Sequence, residues 1–337
     1  MPMQLCLAVD HSSQVGEVRR HAQKLSLAAG LLEHRRSDAA IIATELATNL
    51  HRHATNGRVW MQTLSSQHGT LLEIVAVDGG PGVQDFHRCM QDGYSTGGTA
   101  GTGLGAVRRL SDEFDAFSTV GRGTVVVSRL HANENIHRQR YVLGAVSIPA
   151  PHEDVCGDSW RFVDRGEGFA ILMADGLGHG PLASAAAELA AAAFEKRPFG
   201  AAADYYTDAH QAMAGSRGAA VARAVVDPAW QVEFSGFGNI AASLIGVDGS
   251  RGLPSQNGTV GVQVRRQIAV QQRPWPDRGV LLMHSDGINS RWSLDPYPGL
   301  LVRHPAVIAA IIARDFLRGR DDATIVVVSR NTQGHVA

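Results

Sequence analysis

The sequence is poor in the residues on which several classes of protein depend. Three cysteines stand far apart in 337 residues, and this scattered, odd set disfavours a disulfide framework or a zinc knuckle. Aromatic residues make up 6% of the chain, which argues against a base-stacking surface. The 31 Lys and Arg residues balance 32 Asp and Glu residues, so the chain as a whole is not a basic nucleic-acid binder.

Long apolar runs are also missing. The longest apolar stretches, such as the alanine-rich Leu182–Phe194, are too short to span a bilayer. The segment from Met1 to Asp10 lacks the basic region and long apolar run of a signal peptide. We therefore expect a soluble, cytoplasmic protein with neither a nucleic acid nor a membrane as its partner, and few cysteines suit that reducing compartment.

The chain does contain enough apolar material for more than one core. Hydrophobic residues make up 44% and charged residues 19%, and the length suggests two domains of ordinary size. Residues 131–140 are polar and charged without periodicity, which is typical of a linker. We predict an N-terminal domain over residues 1–130, a linker over 131–140 and a C-terminal domain over 141–330.

Helical and strand patterns are mixed in the N-terminal half. Ser37 is suited to cap a helix that runs from Asp38 to about Ala54. A second helix is predicted from Leu104 to Phe114. The apolar side of the first of these helices carries Ile41, Ile42, Leu46 and Leu50. With a helix over residues 14–29 and strands over 5–9, 59–64, 71–77 and 125–130, these elements predict a compact α+β unit.

Many short strand-like runs and a few helices fill the C-terminal half. Helices are predicted at residues 182–195, 202–213 and 305–317. Strands are predicted at residues 141–148, 161–164, 168–174, 219–226, 231–235, 241–247, 260–270, 280–284 and 324–329. This order suggests a β-sandwich flanked by helices.

Three motifs in the N-terminal half bear on chemistry. Glu45 and Asn49 are four apart on a predicted helix, so they share a face and could hold a Mg²⁺ ion and orient a hydroxyl. Asp78-Gly-Gly-Pro-Gly82 ends an apolar strand, where a carboxylate can accept an exocyclic amine such as that of adenine. Gly101-Thr-Gly-Leu-Gly105 leads into a helix, whose first amides suit a phosphate. No strand precedes these glycines, so a dinucleotide fingerprint is rejected.

In this order, and followed by Gly121-Arg-Gly-Thr124, the motifs resemble the GHKL ATPase superfamily, and in particular its anti-sigma-factor and switch serine kinases. The resemblance covers about residues 5–130 and implies a Bergerat-type α/β sandwich that binds ATP and Mg²⁺. It implies that Asn49 holds the Mg²⁺ and that Asp78 reads adenine with Thr124 beside it. It implies that Glu45 accepts the proton of a substrate serine. The glycines that would form the pocket and lid are Gly80, Gly82, Gly101, Gly103 and Gly105.

Four carboxylate motifs in the C-terminal half stand next to glycine or to each other near strand ends. Hard oxygen ligands at converging strand ends suit Mg²⁺ or Mn²⁺ rather than zinc. Two such ions can share a water, lower its pKa and clamp a phosphoryl group. The motifs are Gly157-Asp158, Asp175-Gly-Leu-Gly-His-Gly180, Asp286-Gly287 and Asp321-Asp322.

These motifs resemble the metal-dependent serine/threonine phosphatases of the PPM class, in their SpoIIE-like branch, over about residues 140–330. The resemblance implies that Asp175 is shared between two Mn²⁺ or Mg²⁺ ions, that the Gly176 carbonyl ligates one of them, and that Asp158, Asp286 and Asp321 complete the set. One departure is Arg161, which stands where the branch often has a second acid, three residues after Asp158.

The two resemblances together imply a partner-switching regulator. A metal-dependent phosphoserine and phosphothreonine phosphatase would be fused to an ATP-binding serine kinase, with a STAS-type antagonist or scaffold protein as substrate and a homodimer as a plausible assembly. Two alternatives stay open. The N-terminal domain could be a non-catalytic ATP sensor or docking module, or the whole chain could be an anti-sigma-type binding protein with an inactive phosphatase.

Overall fold

The computed structural model describes residues 4–66, 69–84, 103–133, 140–265 and 267–331. The chain forms two compact units. We call the unit that holds residues 2–138 and 295–314 the ATPase-type unit, and the unit that holds residues 139–294 and 315–332 the sandwich unit. The mixed α/β, two-domain fold class is the one that the sequence predicts.

The ATPase-type unit is built on one antiparallel sheet of five strands, ordered β1-β2-β3-β5-β4. The described residues of the same stretch of chain also form three helices. In chain order the elements are β1 (Leu5–Ala8), α1 (Ser12–Ala28), α2 (Glu33–His53), β2 (Arg58–Ser66), β3 (Gly69–Val77), α3 (Gly103–Leu110), β4 (Glu113–Thr119) and β5 (Gly123–His131).

One face of this sheet forms a core with the three helices. Val59 and Met61 of β2 and Leu72 and Ile74 of β3 are fully buried, because alternate residues of a strand point to the same side. Small residues on α2 let the helix lie close to the sheet, and they join the larger apolar side chains of the same helix. The buried residues of α2 are Ala39, Ala40, Ile42, Ala43, Leu46, Ala47 and Leu50.

Two element boundaries in this unit differ from the sequence prediction. Helix α2 begins at Glu33, four residues before Ser37, and the Ser37 hydroxyl donates to the Glu33 carbonyl inside the helix instead of capping it. Ile41 is 45% exposed and is not part of the apolar side. Helix α3 ends at Leu110, and the residues expected to continue it form β4, because they pair with β5 over their whole length.

The opposite face of the sheet carries a buried row of polar residues. Gln62, Glu73, Arg129 and Glu113 are register partners on four adjacent strands. Arg129 donates to Glu73 at 2.6 Å and to Glu113 at 3.2 Å, and Gln62 donates to the second oxygen of Glu73 at 2.7 Å. Each buried charge therefore has an opposite charge or an amide beside it, which offsets the cost of its desolvation. Burial raises the pKa of Glu113, but the charge of Arg129 and the hydrogen bonds from His131 and His304 together outweigh it and hold the pKa well below its ordinary range.

Residues 295–314 of the ATPase-type unit pack on this polar face. A short 3-10 turn (Leu300–Val302) precedes α6 (Pro305–Phe316). Every residue from Pro305 to Ala313 is buried, so the helix is covered on all sides, as its continuous apolar sequence requires. The boundary between the two units falls after Arg314, two residues before the end of α6.

The sandwich unit contains two antiparallel sheets of five strands each. Their strand orders are β13-β10-β9-β8-β7 and β12-β11-β14-β15-β6. In chain order the elements are β6 (Tyr141–Ile148), β7 (Asp158–Asp164), β8 (Phe169–Gly176), α4 (Pro181–Lys196), α5 (Ala202–Ala212), β9 (Ala219–Val226), β10 (Gln231–Phe237), β11 (Ala241–Gly246), β12 (Gly249–Gly252), β13 (Gln271–Pro274), β14 (Val280–His284) and β15 (Ala323–Arg330).

Aromatic rings join the two sheets. Tyr141 of β6 meets Phe162 of β7 and Phe169 of β8, with ring centroids 5.4 and 4.8 Å apart in edge-to-face arrangements. On the outer side of the first sheet, the alanines of α4 are buried against β8, together with Tyr205 and Tyr206 of α5. Alanine lets a helix and a sheet approach closely, which explains why this helix is so rich in it.

One predicted strand of the sandwich unit does not form. Of the predicted run 260–270, the described residues 260–265 and 267–270 make only isolated bridges, at Val260 and Gln263. Gly258 and Gly261, with φ of 152° and 91°, turn the chain there and end any extended run. In the part of the chain that the structure describes, no helix combines the length and the apolarity needed to cross a membrane.

Candidate functional site

Two strand ends bring the first pair of predicted metal ligands together. Asp158 begins β7, Asp175 lies near the end of β8, and the two are direct register partners across the antiparallel pair. Directly opposite side chains stand on the same face about 5 Å apart at Cβ. Two like charges in that position repel each other, so the arrangement calls for a cation.

Two further acids complete the cluster from the other sheet. Asp286 follows β14 and Asp321 precedes β15, and these strands are neighbours. Burial raises the pKa of Asp175 to about 9, with further contributions from the charges of Asp158, Asp286 and Asp321. Burial likewise raises the pKa of Asp158 to about 7. The structure therefore brings all four predicted carboxylates into one electrostatic neighbourhood.

Three glycines make this convergence sterically possible. A Cβ atom on Gly176 would lie 2.0 Å from the Ala183 carbonyl oxygen, and one on Gly287 would lie 2.0 Å from the Asp322 carbonyl oxygen. A Cβ atom on Gly157 would lie 2.5 Å from Asp322 Oδ2. The glycine beside each acid is thus needed for close backbone approach.

Hydrogen bonds orient three of the acids. Ser285 Oγ donates to Asp158 Oδ2 at 2.7 Å, and the amide of Asn239 donates to Asp286 Oδ2. Asp322 Oδ1 accepts from the Ala150 amide at 2.8 Å, so this second acid of the final pair is tied into the backbone. That contact supports Asp321 as the ligand of the pair. The order Ser235-Gly-Phe-Gly-Asn239 signals a strand and turn near the site, but the sequence does not reveal the contact with Asp286.

The donor set fits a hard divalent cation that keeps part of its water shell. Asp158 Oδ1 is buried and accepts no hydrogen bond from any residue that the structure describes. Within residues 4–331, apart from the gaps given above, no three His, Cys, Asp or Glu side chains are already arranged as a metal cage. Mg²⁺ and Mn²⁺ are usually bound by one or two carboxylates together with waters, so such a cage is not required.

Residues around the cluster have structural contacts of their own. Arg161 pairs with Glu188 at 2.6 Å and with Glu195 at 2.5 Å, which ties β7 to α4. His179 in the loop after Asp175 meets Glu153 through Nδ1 at 2.6 Å and is 58% exposed. Burial raises the pKa of the Cys156 thiol, so this cysteine is not an activated nucleophile.

Asp78 is the centre of the second candidate site. Its amide donates to the Thr124 carbonyl at 3.0 Å, and its Oδ1 accepts from the Gly80 amide at 2.7 Å. A Cβ atom on Gly123 would lie 2.0 Å from the Asp78 carbonyl oxygen, so glycine is required there. Burial raises the pKa of the Asp78 carboxyl group. The Thr124 hydroxyl meets Ser118 Oγ at 2.9 Å beside this strand end.

Two helices, α2 and α3, meet beside the Asp78 loop. Gly103 starts α3, and a Cβ atom on it would lie 2.7 Å from Glu45 Oε2 and 3.9 Å from Asn49 Nδ2. Glu45 and Asn49 both lie near the N-terminus of α3, and so they share a face of α2 as their spacing predicts. The loop after Asp78 lies on the end of α2, where the Gly79 amide donates to the Thr55 carbonyl at 3.0 Å.

The remaining predicted glycines lie on both sides of this site. Gly82 has φ of 68°, and a Cβ atom on it would lie 2.2 Å from the Thr119 carbonyl oxygen. Gly105 is buried in α3. Gly101 lies outside the described residues.

One contact to Asp78 was not predicted from the sequence. Arg314 Nη1, in the last turn of α6, donates to the Asp78 carbonyl oxygen at 3.0 Å. No local pattern marks this arginine, because it ends an apolar helix that lies 236 residues further along the chain.

Known proteins share both halves of this arrangement. The family model of the histidine kinase-like ATPase domain matches residues 9–130, and that of Stage II sporulation protein E (SpoIIE) matches residues 165–331. The serine/threonine-protein kinase RsbT of Bacillus subtilis (strain 168) is 38% identical over 100 residues, which is 30% of this chain and 74% of RsbT.

Three solved structures share the fold. One belongs to the bacterial stressosome, described as a modular system adapted to control secondary messenger signaling. It is 24% identical to this chain, with a TM-score of 0.52, and the match covers 57% of this chain and 100% of that one. The structure of RsbX in complex with magnesium is 18% identical, with a TM-score of 0.50, and the match covers 57% of this chain and 96% of RsbX. The structure of the PP2C phosphatase domain of Bacillus subtilis SpoIIE with a fragment of its regulatory domain is 15% identical, with a TM-score of 0.50. The match covers 95% of this chain and 94% of that one.

The chain belongs to the family of RsbT-type serine/threonine-protein kinases through its N-terminal domain, and its C-terminal part matches the SpoIIE family model. Both resemblances drawn from the motifs are confirmed. The chain is thus an enzyme of protein serine and threonine phosphorylation.

Proposed function

We propose that this protein is a bacterial partner-switching regulator that dephosphorylates, and separately phosphorylates, serine or threonine on a STAS-type antagonist or scaffold protein. The observation that carries the proposal is the presence of two groups of predicted site residues in one chain. One is the acid cluster around Asp158 and Asp175. The other is the set of Glu45, Asn49 and Gly103 near the Asp78 loop.

On the phosphatase side, Asp158, Asp175, Asp286 and Asp321, with the Gly176 carbonyl, would hold two Mn²⁺ or Mg²⁺ ions. When bound, these ions supply an activated water and charge stabilisation for phosphoryl transfer. The protein's own part is to hold the carboxylates in place. Ser285 fixes Asp158, Asn239 fixes Asp286, and the glycines let the strand ends converge.

On the kinase side, Asp78 would accept the amino group of adenine and Asn49 would hold the Mg²⁺ that accompanies ATP. The N-terminus of α3 would meet the phosphates. Glu45 lies beside that N-terminus and would accept the proton of the substrate hydroxyl. This use of Glu45 distinguishes phosphate transfer from simple nucleotide binding.

A sensor role for the ATPase-type unit is the second candidate. The observation that favours it is α6, which carries Arg314 against Asp78 and continues into the sandwich unit within one turn. In this reading ATP binds without phosphate transfer and sets the phosphatase activity.

The test is hydrolysis by the full-length protein. Phosphate release from a phosphorylated STAS protein and from a small aryl phosphate is measured with and without Mn²⁺, for wild type, Asp175→Asn and Asp204→Asn. Asp204 is an exposed acid on α5 and serves as the matched control. We expect Mn²⁺-dependent release that falls by at least about 100-fold in Asp175→Asn only. Equal activity of Asp175→Asn and wild type on both substrates would refute the metal-dependent phosphatase.

A further inference from the structure

The sequence match and the contacts assign the segment of residues 295–314 to different halves of the chain. It lies inside the part of the chain that matches SpoIIE, yet by its contacts it belongs to the ATPase-type unit. It therefore adds side chains to a unit whose family model ends at residue 130. This raises the question of which of these side chains act on the nucleotide site.

Most of the contacts anchor the segment. The His304 amide donates to Asp115 Oδ2 at 2.7 Å, and His304 Nε2 meets Glu113 Oε2 at 3.1 Å. Arg303 pairs with Asp115 at 3.3 Å and lies over the Phe117 ring. All of these partners are on β4, so these contacts hold α6 on the sheet and do not involve Asp78 itself.

Arg314 differs from these anchors because it meets Asp78 itself. The Asp78 amide is held by the Thr124 carbonyl, its Oδ1 by the Gly80 amide, and its carbonyl oxygen by the Arg314 guanidinium. Both backbone polar groups and one carboxylate oxygen are thus fixed. The Thr124 backbone amide makes a further hydrogen bond to the carboxyl group, so the orientation of the Asp78 side chain is set from several directions.

We infer that Arg314 is a positioning residue of the nucleotide site, which orients Asp78 for recognition of the adenine amino group. The inference rests on the proposed role of Asp78 as the residue that reads adenine. A charged donor on a carbonyl makes a stronger hydrogen bond than a neutral one, and it resists rotation of the Asp78 peptide. The nucleotide site of this protein is therefore complete only with a residue from the SpoIIE-matching part of the chain.

The specific consequence is base selectivity. Inosine carries a carbonyl oxygen where adenosine carries the amino group, so a correctly oriented carboxylate favours ATP over ITP. If Arg314 only stabilised the fold, its loss would weaken both nucleotides alike. If it positions Asp78, its loss weakens ATP much more than ITP, because only ATP offers the donor that the carboxylate accepts.

The experiment measures dissociation constants for Mg-ATP and Mg-ITP by calorimetry on the full-length protein. The variants are Arg314→Gln, Arg314→Lys and Asp78→Asn, with Arg303→Gln as the matched control on the same segment. We expect Arg314→Gln to lose ATP affinity by about 10-fold and ITP affinity by less than about 2-fold. Arg314→Lys should recover part of the preference for ATP, and Arg303→Gln should keep all of it.

Two results would overturn the inference. One is that Arg314→Gln prefers ATP over ITP by the same factor as Arg303→Gln. The other is that Arg314→Gln loses affinity for ATP and for ITP by the same factor and also has a lower melting temperature. If Arg314→Gln does not fold, the comparison of Arg314→Lys with Arg303→Gln decides by the same criterion. An Asp78→Asn variant that binds ATP and ITP as wild type does would instead refute the nucleotide site itself.

Discussion

Asp158 and Asp175 are direct partners in the register of β7 and β8, and both belong to the acid cluster of the sandwich unit. Antiparallel sheets avoid like charges in this position unless something compensates for them. Asp158 is 1% exposed, so water screens its charge poorly. Burial and the neighbouring acids therefore favour the protonated form of Asp175 in the metal-free protein, with its pKa raised to about 9, and a bound cation would take the place of that proton.

A first prediction concerns metal removal. In the presence of chelator, Asp158→Asn should be more stable than wild type by about 1 kcal/mol, because it replaces a buried carboxyl group whose ionised form burial disfavours and keeps an acceptor for Ser285. With Mn²⁺ at about 100 times its dissociation constant, wild type should gain about 2.7 kcal/mol and the variant much less. Urea unfolding with chelator and with Mn²⁺ measures both effects. Equal gains from Mn²⁺ in the two proteins would place the ion elsewhere.

A second prediction separates the kinase from the sensor. Glu45→Gln should bind ATP within about 2-fold of wild type, since the carboxylate acts on the substrate hydroxyl and not on binding. Phosphate transfer from labelled ATP to a STAS protein should fall by about 100-fold or more. Glu33→Gln, at the exposed start of the same helix, is the control. A proven partner that wild type never phosphorylates would favour the sensor.

A third prediction compares two glycines of one turn. Gly121 and Gly123 have φ of 79° and 84°, but a Cβ atom on Gly121 meets nothing within 4 Å, whereas one on Gly123 would lie 2.0 Å from the Asp78 carbonyl oxygen. Alanine at 121 should cost about 1 kcal/mol of backbone strain and leave ATP binding intact. Alanine at 123 should cost more than that and weaken ATP binding at least about 10-fold, because Asp78 must move. Thermal unfolding and calorimetry test the pair, and equal ATP affinities would contradict the steric argument.

A fourth prediction concerns pH and His304. Its Nδ1 accepts from the Ala306 amide at 3.1 Å while its Nε2 faces Glu113, which describes a neutral ring. Burial lowers the pKa of His304, and the charge of Arg129 lowers it further, although Glu113 acts in the opposite direction. The unfolded chain therefore takes up a proton more readily than the folded one. Stability is lost as pH falls below the unfolded value of about 6.5.

The measurement for His304 is a difference between variants. Unfolding free energy is followed from pH 8 to pH 5 in chelator for wild type, His304→Gln and the exposed control His51→Gln. We expect the wild-type and His51→Gln curves to fall together on the acid side and the His304→Gln curve to fall less. A His304→Gln curve parallel to wild type would show that this ring does not titrate on unfolding.

The motifs and the fold class could be predicted from the sequence because their signals are local. Glu45 and Asn49 share a helix face by spacing, and Asp175 stands between an apolar strand and a glycine. The ends of helices and strands are harder to predict from the sequence. The segment after Leu110 has helical spacing, yet it pairs as β4 with β5, and a pairing partner lies outside any local window.

The sequence by itself determined the two families, the order of the domains and the residues that converge. These features could be predicted because glycines at points of close approach and carboxylates at strand ends are recognised from the residues next to them in the sequence. The tertiary structure alone decided the polar row through Gln62, Glu73, Arg129 and Glu113, and the contact of Arg314 with Asp78. Register and packing bring together residues far apart in the chain, and their energy depends on burial that no local pattern encodes.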